Sequence, residues 1–117
     1  MGVEPEVMGA GPIPATEKAL KQAGLTIDDI DAFEVNEAFA VQVLAFLEHF
    51  GIADDDPRVN PYGGAIAMGH PIGMSGARIV LHLAMELGRR GGGVGAAALC
   101  GGGGQGDALI LHVPARA

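Results

Sequence analysis

Residues 94–113, VGAAALCGGGGQGDALILHV, decide the fold. VGAAALC is a run of small and apolar residues ending at Cys100, GGGGQG follows it, and DALILHV closes the stretch with alternating character. A parallel crossover needs a dozen or more residues, and this link is far shorter. The two runs therefore predict an antiparallel hairpin. Clustered glycine costs backbone entropy wherever a chain is ordered, so its presence suggests backbone packed against backbone or against a ligand.

Upstream of the hairpin, helical and strand-like segments alternate. Residues 73–88 predict a helix, with Ala77, Val80, Ala84 and Leu87 on one face, Leu81 beside it, and Arg89 and Arg90 closing it with the right charge sign. Residues 58–72, RVNPYGGAIAMGHPI, hold two prolines and three glycines and predict a short strand followed by a structured loop. Residues 38–50, AFAVQVLAFLEHF, are apolar nearly all round, the mark of a helix buried in a layered protein. Residues 32–36, AFEVN, place Phe33 and Val35 on one side of a strand. Residues 14–23 predict a first helix with Pro14 at its start, Gly24 at its end, and Ala15, Ala19, Leu20 and Ala23 as its buried stripe. The sum is an α/β layered sheet with an antiparallel last strand.

Composition narrows the function. A chain of 117 residues is one domain, 1–117, or part of one. An apolar fraction of 49% excludes general disorder. Charge is uneven: residues 1–57 carry twelve acids against two bases, residues 58–117 two acids against five bases. No basic stripe with interleaved aromatics exists, and there is no Trp and one Tyr, which argues against nucleic acid as a partner. The lone cysteine, Cys100, cannot form an internal disulfide or a multi-thiolate metal site, and it fits a reducing, cytoplasmic compartment. The N-terminus MGVEPEVM lacks the basic and apolar regions of a signal peptide, and no apolar stretch is long enough for a membrane span.

Three segments could do chemistry, each at a strand end or in a loop beside one: Asn36-Glu37-Ala38-Phe39-Ala40, Gly69-His70-Pro71, and Cys100 with its glycines. Pro71 pushes His70 out of the helical region, so the imidazole sits on a stiff turn just before a helix start. There it either caps the helix or hydrogen-bonds a thiolate or developing oxyanion. Cys100 is either an inert small hydrophobe or a thiol beside an anion-binding nest of backbone N–H groups. Asn36 is either an N-cap or an amide that holds a water or carbonyl in a site. Gly101, Gly103 and Gly106 fit G-x-G-x-x-G, but a strand follows where a dinucleotide fold needs a helix, so that reading fails. His49, His70, His82 and His112 lack metal-ligand spacing.

VNEAFA (35–40), NPYGGAIAMGHPIGMSGARI (60–79) and LCGGGGQGDALI (99–110) resemble the C-terminal domain of thiolases, and MGAGPIPATEKAL (8–20) is similar to the segment that precedes these motifs in that family. The likeness covers essentially the whole chain in the expected order. It implies the C-terminal half of the thiolase fold. It also implies an acyltransferase that makes or cleaves a carbon–carbon bond in 3-ketoacyl-CoA, as in fatty acid metabolism and β-oxidation, with coenzyme A as substrate and no cofactor.

By the same resemblance Cys100 matches the cysteine that shuttles protons at the α-carbon. His70 matches the histidine that activates the nucleophile and donates to the enolate oxygen, and Asn36 the residue that orients a water in that oxyanion hole. Gly102 matches the backbone donor of a second oxyanion hole, and Phe39 a pocket residue beside the reacting groups. The family's nucleophilic cysteine lies in its N-terminal domain, and its CoA-gripping loop domain has no counterpart here. The strand that usually starts the sheet would lie just before Met1. The resemblance therefore implies a C-terminal piece that works with a thiolase N-terminal domain, in a family whose full-length members form homo-oligomers. Set against it is a non-catalytic dimerisation or docking module. A β-ketoacyl synthase, which would present a second histidine in place of the Cys–Gly run, and a cysteine hydrolase using Cys100 and His70 rank below both.

Overall fold

Strand β2 (Gly93–Gly101) runs through the middle of a three-stranded sheet, parallel to β1 (Ala32–Val35) and antiparallel to β3 (Gln105–Val113). The computed structural model describes residues 2, 10–101 and 104–115. The hairpin register sets Ala96 opposite Ile110 and Cys100 opposite Gly106, so the expected antiparallel pair is present. Among the described residues, α1 (Pro12–Ala23), α2 (Ala40–Phe50) and α4 (Ser75–Arg89) flank the sheet, and the single turn α3 (Ala65–Met68) lies between α2 and α4 in the chain.

The two faces of the sheet carry separate cores. Phe33, Val35, Ala96 and Ala98 point toward Leu20 of α1 and Val43, Phe46 and Leu47 of α2. Phe33 meets Phe46 edge-on, with ring centroids 6.4 Å apart. On the opposite face Ala32 and Ala97 meet Ile79, Leu83 and Leu87 of α4. Ile79, Leu83 and Leu87, each fully buried, contribute about 1.5–3 kcal/mol apiece. The small residues of β2 are what let both helical layers come close. A methyl on Gly95 would lie 2.5 Å from Leu83 Cδ1, inside any tolerable contact.

Helix α1 starts at Pro12, two residues before the expected Pro14, since a proline costs no hydrogen bond in a first turn. Gly24 ends it in the left-handed region at φ 71°, its N–H and that of Leu25 returning to Lys21 and Leu20 carbonyls. Its buried residues are Pro12, Ala15, Thr16 and Leu20, whereas Ala23, expected inside, is exposed. Helix α2 buries Gln42, Val43, Phe46 and Leu47 but leaves Val41 73% exposed, so it is covered on one side rather than all round.

The face expected for α4 needs correcting. Leu87 is buried as expected, but Ala77 and Leu81 are exposed and Val80 and Ala84 only partly covered. The buried face is Ser75, Arg78, Ile79, Leu83, Glu86 and Leu87. Apolar residues lie on both sides of this helix, and the side turned to the sheet is the one that also carries Arg78 and Glu86.

The outer edge of β1 is closed by residues 58–60. Phe33 N–H donates to Arg58 O at 2.7 Å and Asn60 N–H to Phe33 O at 2.8 Å. Asn60, at φ 43°, then continues the ladder with its side chain: Oδ1 accepts from Val35 N–H at 2.9 Å, and Nδ2 donates to Val35 O at 3.0 Å. Asp56 anchors this segment by pairing with Arg58 at 2.9 Å, and those hydrogen bonds hold its carboxyl below the usual range. The short strand expected here is thus a single parallel bridge, Phe33 to Val59.

Candidate active site

Strands β1 and β2 are parallel, so their C-terminal ends, Val35 and Gly101, lie at the same edge of the sheet. Open α/β sheets bind ligands at that edge. Asn36 extends β1 by one more bond, its N–H donating to Ala98 O at 2.9 Å. It is fully buried and caps no helix, because α2 begins four residues later with Phe39 at its N-cap. The N-cap role is therefore excluded.

His70 stands across from it. Asn36 Nδ2 lies 3.5 Å from His70 Nε2, and His70 Nδ1 lies 2.5 Å from Ser75 Oγ. Ser75 Oγ donates to Pro71 O at 3.2 Å. With the hydroxyl proton used there, Oγ accepts from His70 Nδ1–H. Nδ1 then carries a proton, and Nε2 faces the Asn36 amide. The stiff turn before Pro71 and the first residue of α4 together fix the ring. His70 is exposed and Ser75 is buried, so the anchor is inside and the working edge outside.

Cys100 arrives from the other layer. Its side chain is on the same face of β2 as Ala96 and Ala98, toward α2, and Sγ lies 3.6 Å from Gln42 Oε1. Gln42 Nε2 in turn donates to Asn36 O at 3.2 Å. Thiol, amide and imidazole are thereby joined by one chain of contacts, Cys100–Gln42–Asn36–His70, around the end of the sheet. Cys100 is partly buried and Gln42 buried. Gln42 carried no signal in the sequence beyond being a polar residue in an apolar helix.

Phe39 is 58% exposed at the N-cap of α2, and among the described residues no ring contact ties it to these groups. Gly102 lies outside the described residues. Glu37, next to Asn36, has its carboxylate tied down: Oε2 accepts from Asn60 Nδ2 at 3.3 Å and Oε1 from Ile66 N–H at 3.2 Å. That clasp joins the strand end to the loop leading to His70.

Behind Asn36 lie two buried charged side chains that the sequence did not single out. Arg78 Nη2 donates to Asn36 Oδ1 at 3.4 Å and Nη1 to His82 Nδ1 at 3.3 Å. Glu34 is 1% exposed, and neither of its oxygens has a hydrogen-bond partner among the described residues. Burial pushes its carboxyl up to about 7, against the downward pull of Arg78, with Glu37 and Glu86 adding to the rise.

The family model for the thiolase C-terminal domain matches residues 1–113. The chain belongs to the thiolase family. As a thiolase C-terminal domain it is 60% identical over 111 residues to an acetyl-CoA acetyltransferase of Syntrophomonas wolfei. It is 56% identical over 111 residues to the 3-oxoadipyl-CoA/3-oxo-5,6-dehydrosuberyl-CoA thiolase of Escherichia coli and 54% identical over 111 residues to a beta-ketoadipyl-CoA thiolase of Pseudomonas putida. In each case 95% of this thiolase domain is covered, and it spans 28% of the relative's length. The mixed sheet with helices on both faces agrees with that family's C-terminal fold. Among the described residues of this domain, no helix is long and apolar enough to cross a membrane.

Proposed function

We propose that this chain supplies the proton-shuttling half of a thiolase active site. The observation that carries the reading is the contact chain Cys100–Gln42–Asn36–His70 at the C-terminal edge of the parallel strands. The nucleophile comes from an N-terminal domain, consistent with a chain spanning 28% of the relatives' length. In the condensing direction, that nucleophile holds an acyl group as a thioester. Cys100, as thiolate, takes the α-proton of an acyl-CoA. The resulting enolate oxygen is held by a water set by Asn36 and by His70, whose Nε2 by then carries the proton taken from the nucleophile, and Gly102 N–H receives the oxygen of the acyl thioester. The enolate carbon bonds to the acyl carbon, and the nucleophile leaves as thiolate. In thiolysis the same steps run backward, with Cys100 returning the proton to the leaving enolate. One such oxyanion donor is worth about 3–4 kcal/mol in the transition state.

The relatives' names contain 3-oxoadipyl-CoA, beta-ketoadipyl-CoA and acetyl-CoA, so the proposed substrates are a 3-ketoacyl-CoA and coenzyme A, or two short acyl-CoAs, in the cytoplasm. The whole chain, residues 1–117, acts as one domain. Fusing it behind the preceding part of one of these relatives tests the reading by loss of 3-ketoacyl-CoA absorbance with coenzyme A present. Intact mass of the isolated chain with acetyl-CoA is the companion test. A turnover-competent acetyl thioester on Cys100 itself would overturn the role assigned to that thiol.

A second reading, a non-catalytic dimerisation or docking module, draws on the outer face of α4, where Leu81 is 58% and Met85 48% exposed. Sedimentation over a dilution series separates the two. A chain that is dimeric at all concentrations, with a silent fusion, favours the module.

A further inference from the structure

Arg78 and Glu34 are the charged groups in the interior that the reaction above leaves unused. Arg78 lies on the sheet-facing side of α4, and Glu34 on the α4-facing side of β1, opposite in direction to Phe33 and Val35. We propose that Arg78 is a positioning residue for Asn36, its guanidinium holding the side-chain oxygen so that Nδ2 is presented to His70 and to the water that meets the oxyanion.

The argument starts from the shape of an amide. The two ends of an Asn side chain are nearly equal in size, and only the donors and acceptors around them choose an orientation. A guanidinium is donor only, so whatever faces it must accept. Arg78 Nη2 stands 3.4 Å from Asn36 Oδ1, which fixes the oxygen on the α4 side. Nδ2 then points to His70 Nε2 at 3.5 Å, where the Ser75 contact has already left a lone pair. Every link in the series from Arg78 through Asn36, His70 and Ser75 to Pro71 O donates in the same sense. Reversing the amide would set its NH₂ against a guanidinium and its oxygen against a lone pair.

Arg78 is 9% exposed, and its Nε has no partner among the described residues. A cation so placed needs a negative neighbour. Glu34, turned to the same layer between β1 and α4, provides it once its raised carboxyl is ionised. Glu37 and Glu86 lie near enough to act on it as well.

The catalytic consequence rests on the thiolase reading, but the orientation does not, so two measurements are paired. In the isolated 117-residue chain, labelled with nitrogen-15 and carbon-13, the Asn36 side-chain NH₂ and the His70 ring nitrogens are followed by NMR. Wild type is expected to show one Asn36 NH₂ pair and His70 protonated on Nδ1. Arg78→Met is expected to broaden or double the Asn36 pair and mix the His70 tautomers. Should the single variant lose its dispersed spectrum, Glu34→Gln combined with Arg78→Met removes both charges and preserves the interior. Unchanged Asn36 and His70 signals in a folded Arg78→Met variant, with or without Glu34→Gln, would overturn the proposal.

In the fusion enzyme, Arg78→Met is expected to lower kcat about 10- to 100-fold while KM changes less than twofold, with Arg78→Lys recovering part of the loss. Equal kcat in wild type and Arg78→Met sinks the positioning role. A wild-type fusion without any thiolysis counts against the thiolase reading instead, and the NMR result still decides the orientation.

Discussion

Ser75 Oγ sits 2.5 Å from His70 Nδ1, and its own proton is spent on Pro71 O. The hydroxyl therefore dictates which ring nitrogen carries hydrogen. Ser75→Ala removes that instruction without adding bulk. A lost intramolecular hydrogen bond costs about 1 kcal/mol of stability, so the fold persists. The His70 tautomers then mix, which nitrogen-15 shifts of the ring report directly. In the fusion enzyme kcat is expected to fall about tenfold, less than the roughly 10²- to 10⁴-fold a general base contributes, because the base remains and only its tautomer is mixed. A ring that keeps its proton on Nδ1 in Ser75→Ala would show that the Pro71 turn alone sets the tautomer.

Glu34 makes stability depend on pH. Its folded carboxyl is raised from 4.5 to about 7, so the folded state holds the proton more tightly than the unfolded one. Stability is then highest below about pH 4.5, falls as pH rises to about 7, and levels off above that. The full span amounts to about 3 kcal/mol at most. Arg78 opposes the shift, while Glu37 and Glu86 deepen it. Glu34→Gln removes the titration. Urea unfolding at pH 5 and pH 8 should show wild type losing more stability than the variant across that interval. Parallel losses would mean that Glu34 is already ionised at pH 5.

Gly95 faces Leu83 across the closest approach between β2 and α4, where a methyl would meet Cδ1 at 2.5 Å. Gly95→Ala forces either strand or helix to move, and overpacking of this kind costs about 1–3 kcal/mol. Trimming the obstruction in the double variant with Leu83→Val should recover part of that loss. Urea midpoints of the single and double variants check it. Additive losses would place the strain elsewhere.

Asn60 stands in for a strand, making two side-chain bonds to Val35 and one to Glu37. Asn60→Ala leaves the Val35 N–H and C=O unsatisfied and also strains a residue at φ 43°. The expected loss is about 2–3 kcal/mol, of which Asn60→Gly recovers only the backbone part. Hydrogen exchange at Val35 N–H gives a local reading, and protection there should fall more than at Phe33, whose partner is Arg58 O.

Much of this was legible beforehand. The hairpin follows from a link too short for a crossover, and the helices from their periodicity and from end signals such as Gly24. The face of α4 was not legible. Ala77, Val80, Ala84 and Leu87 make as good an apolar stripe as Ile79, Leu83 and Leu87, and the true inner face also carries Arg78 and Glu86. A polar residue turned inward defeats a reading based on hydrophobic pattern. Glu34 and Gln42 escaped for the same reason, their polarity pointing to solvent while tertiary packing put them beside the site. Asn36 shows the reverse: its sequence position fits an N-cap, yet the extended stretch before α2 takes it out of capping range.

Cys100 gives the most decisive prediction, because the proposal separates two half-reactions. Loading of an acyl group onto the nucleophile uses that nucleophile, His70 and the acyl-thioester hole. Removal of the α-proton uses Cys100. Cys100→Ala leaves Gln42 Oε1 without its thiol contact at 3.6 Å but disturbs neither the Asn36–His70 pair nor the Gln42 bond to Asn36 O. In the fusion enzyme the variant should still accumulate an acyl adduct on intact mass after acetyl-CoA is added. Condensation and thiolysis should fall about 10²- to 10⁴-fold, the range of a missing general acid or base. Cys100→Ser should stay near the low value, since a hydroxyl does not give up its proton near neutral pH. If Cys100→Ala loses the adduct along with turnover, the thiol acts before the proton step, and the division of labour drawn here is wrong.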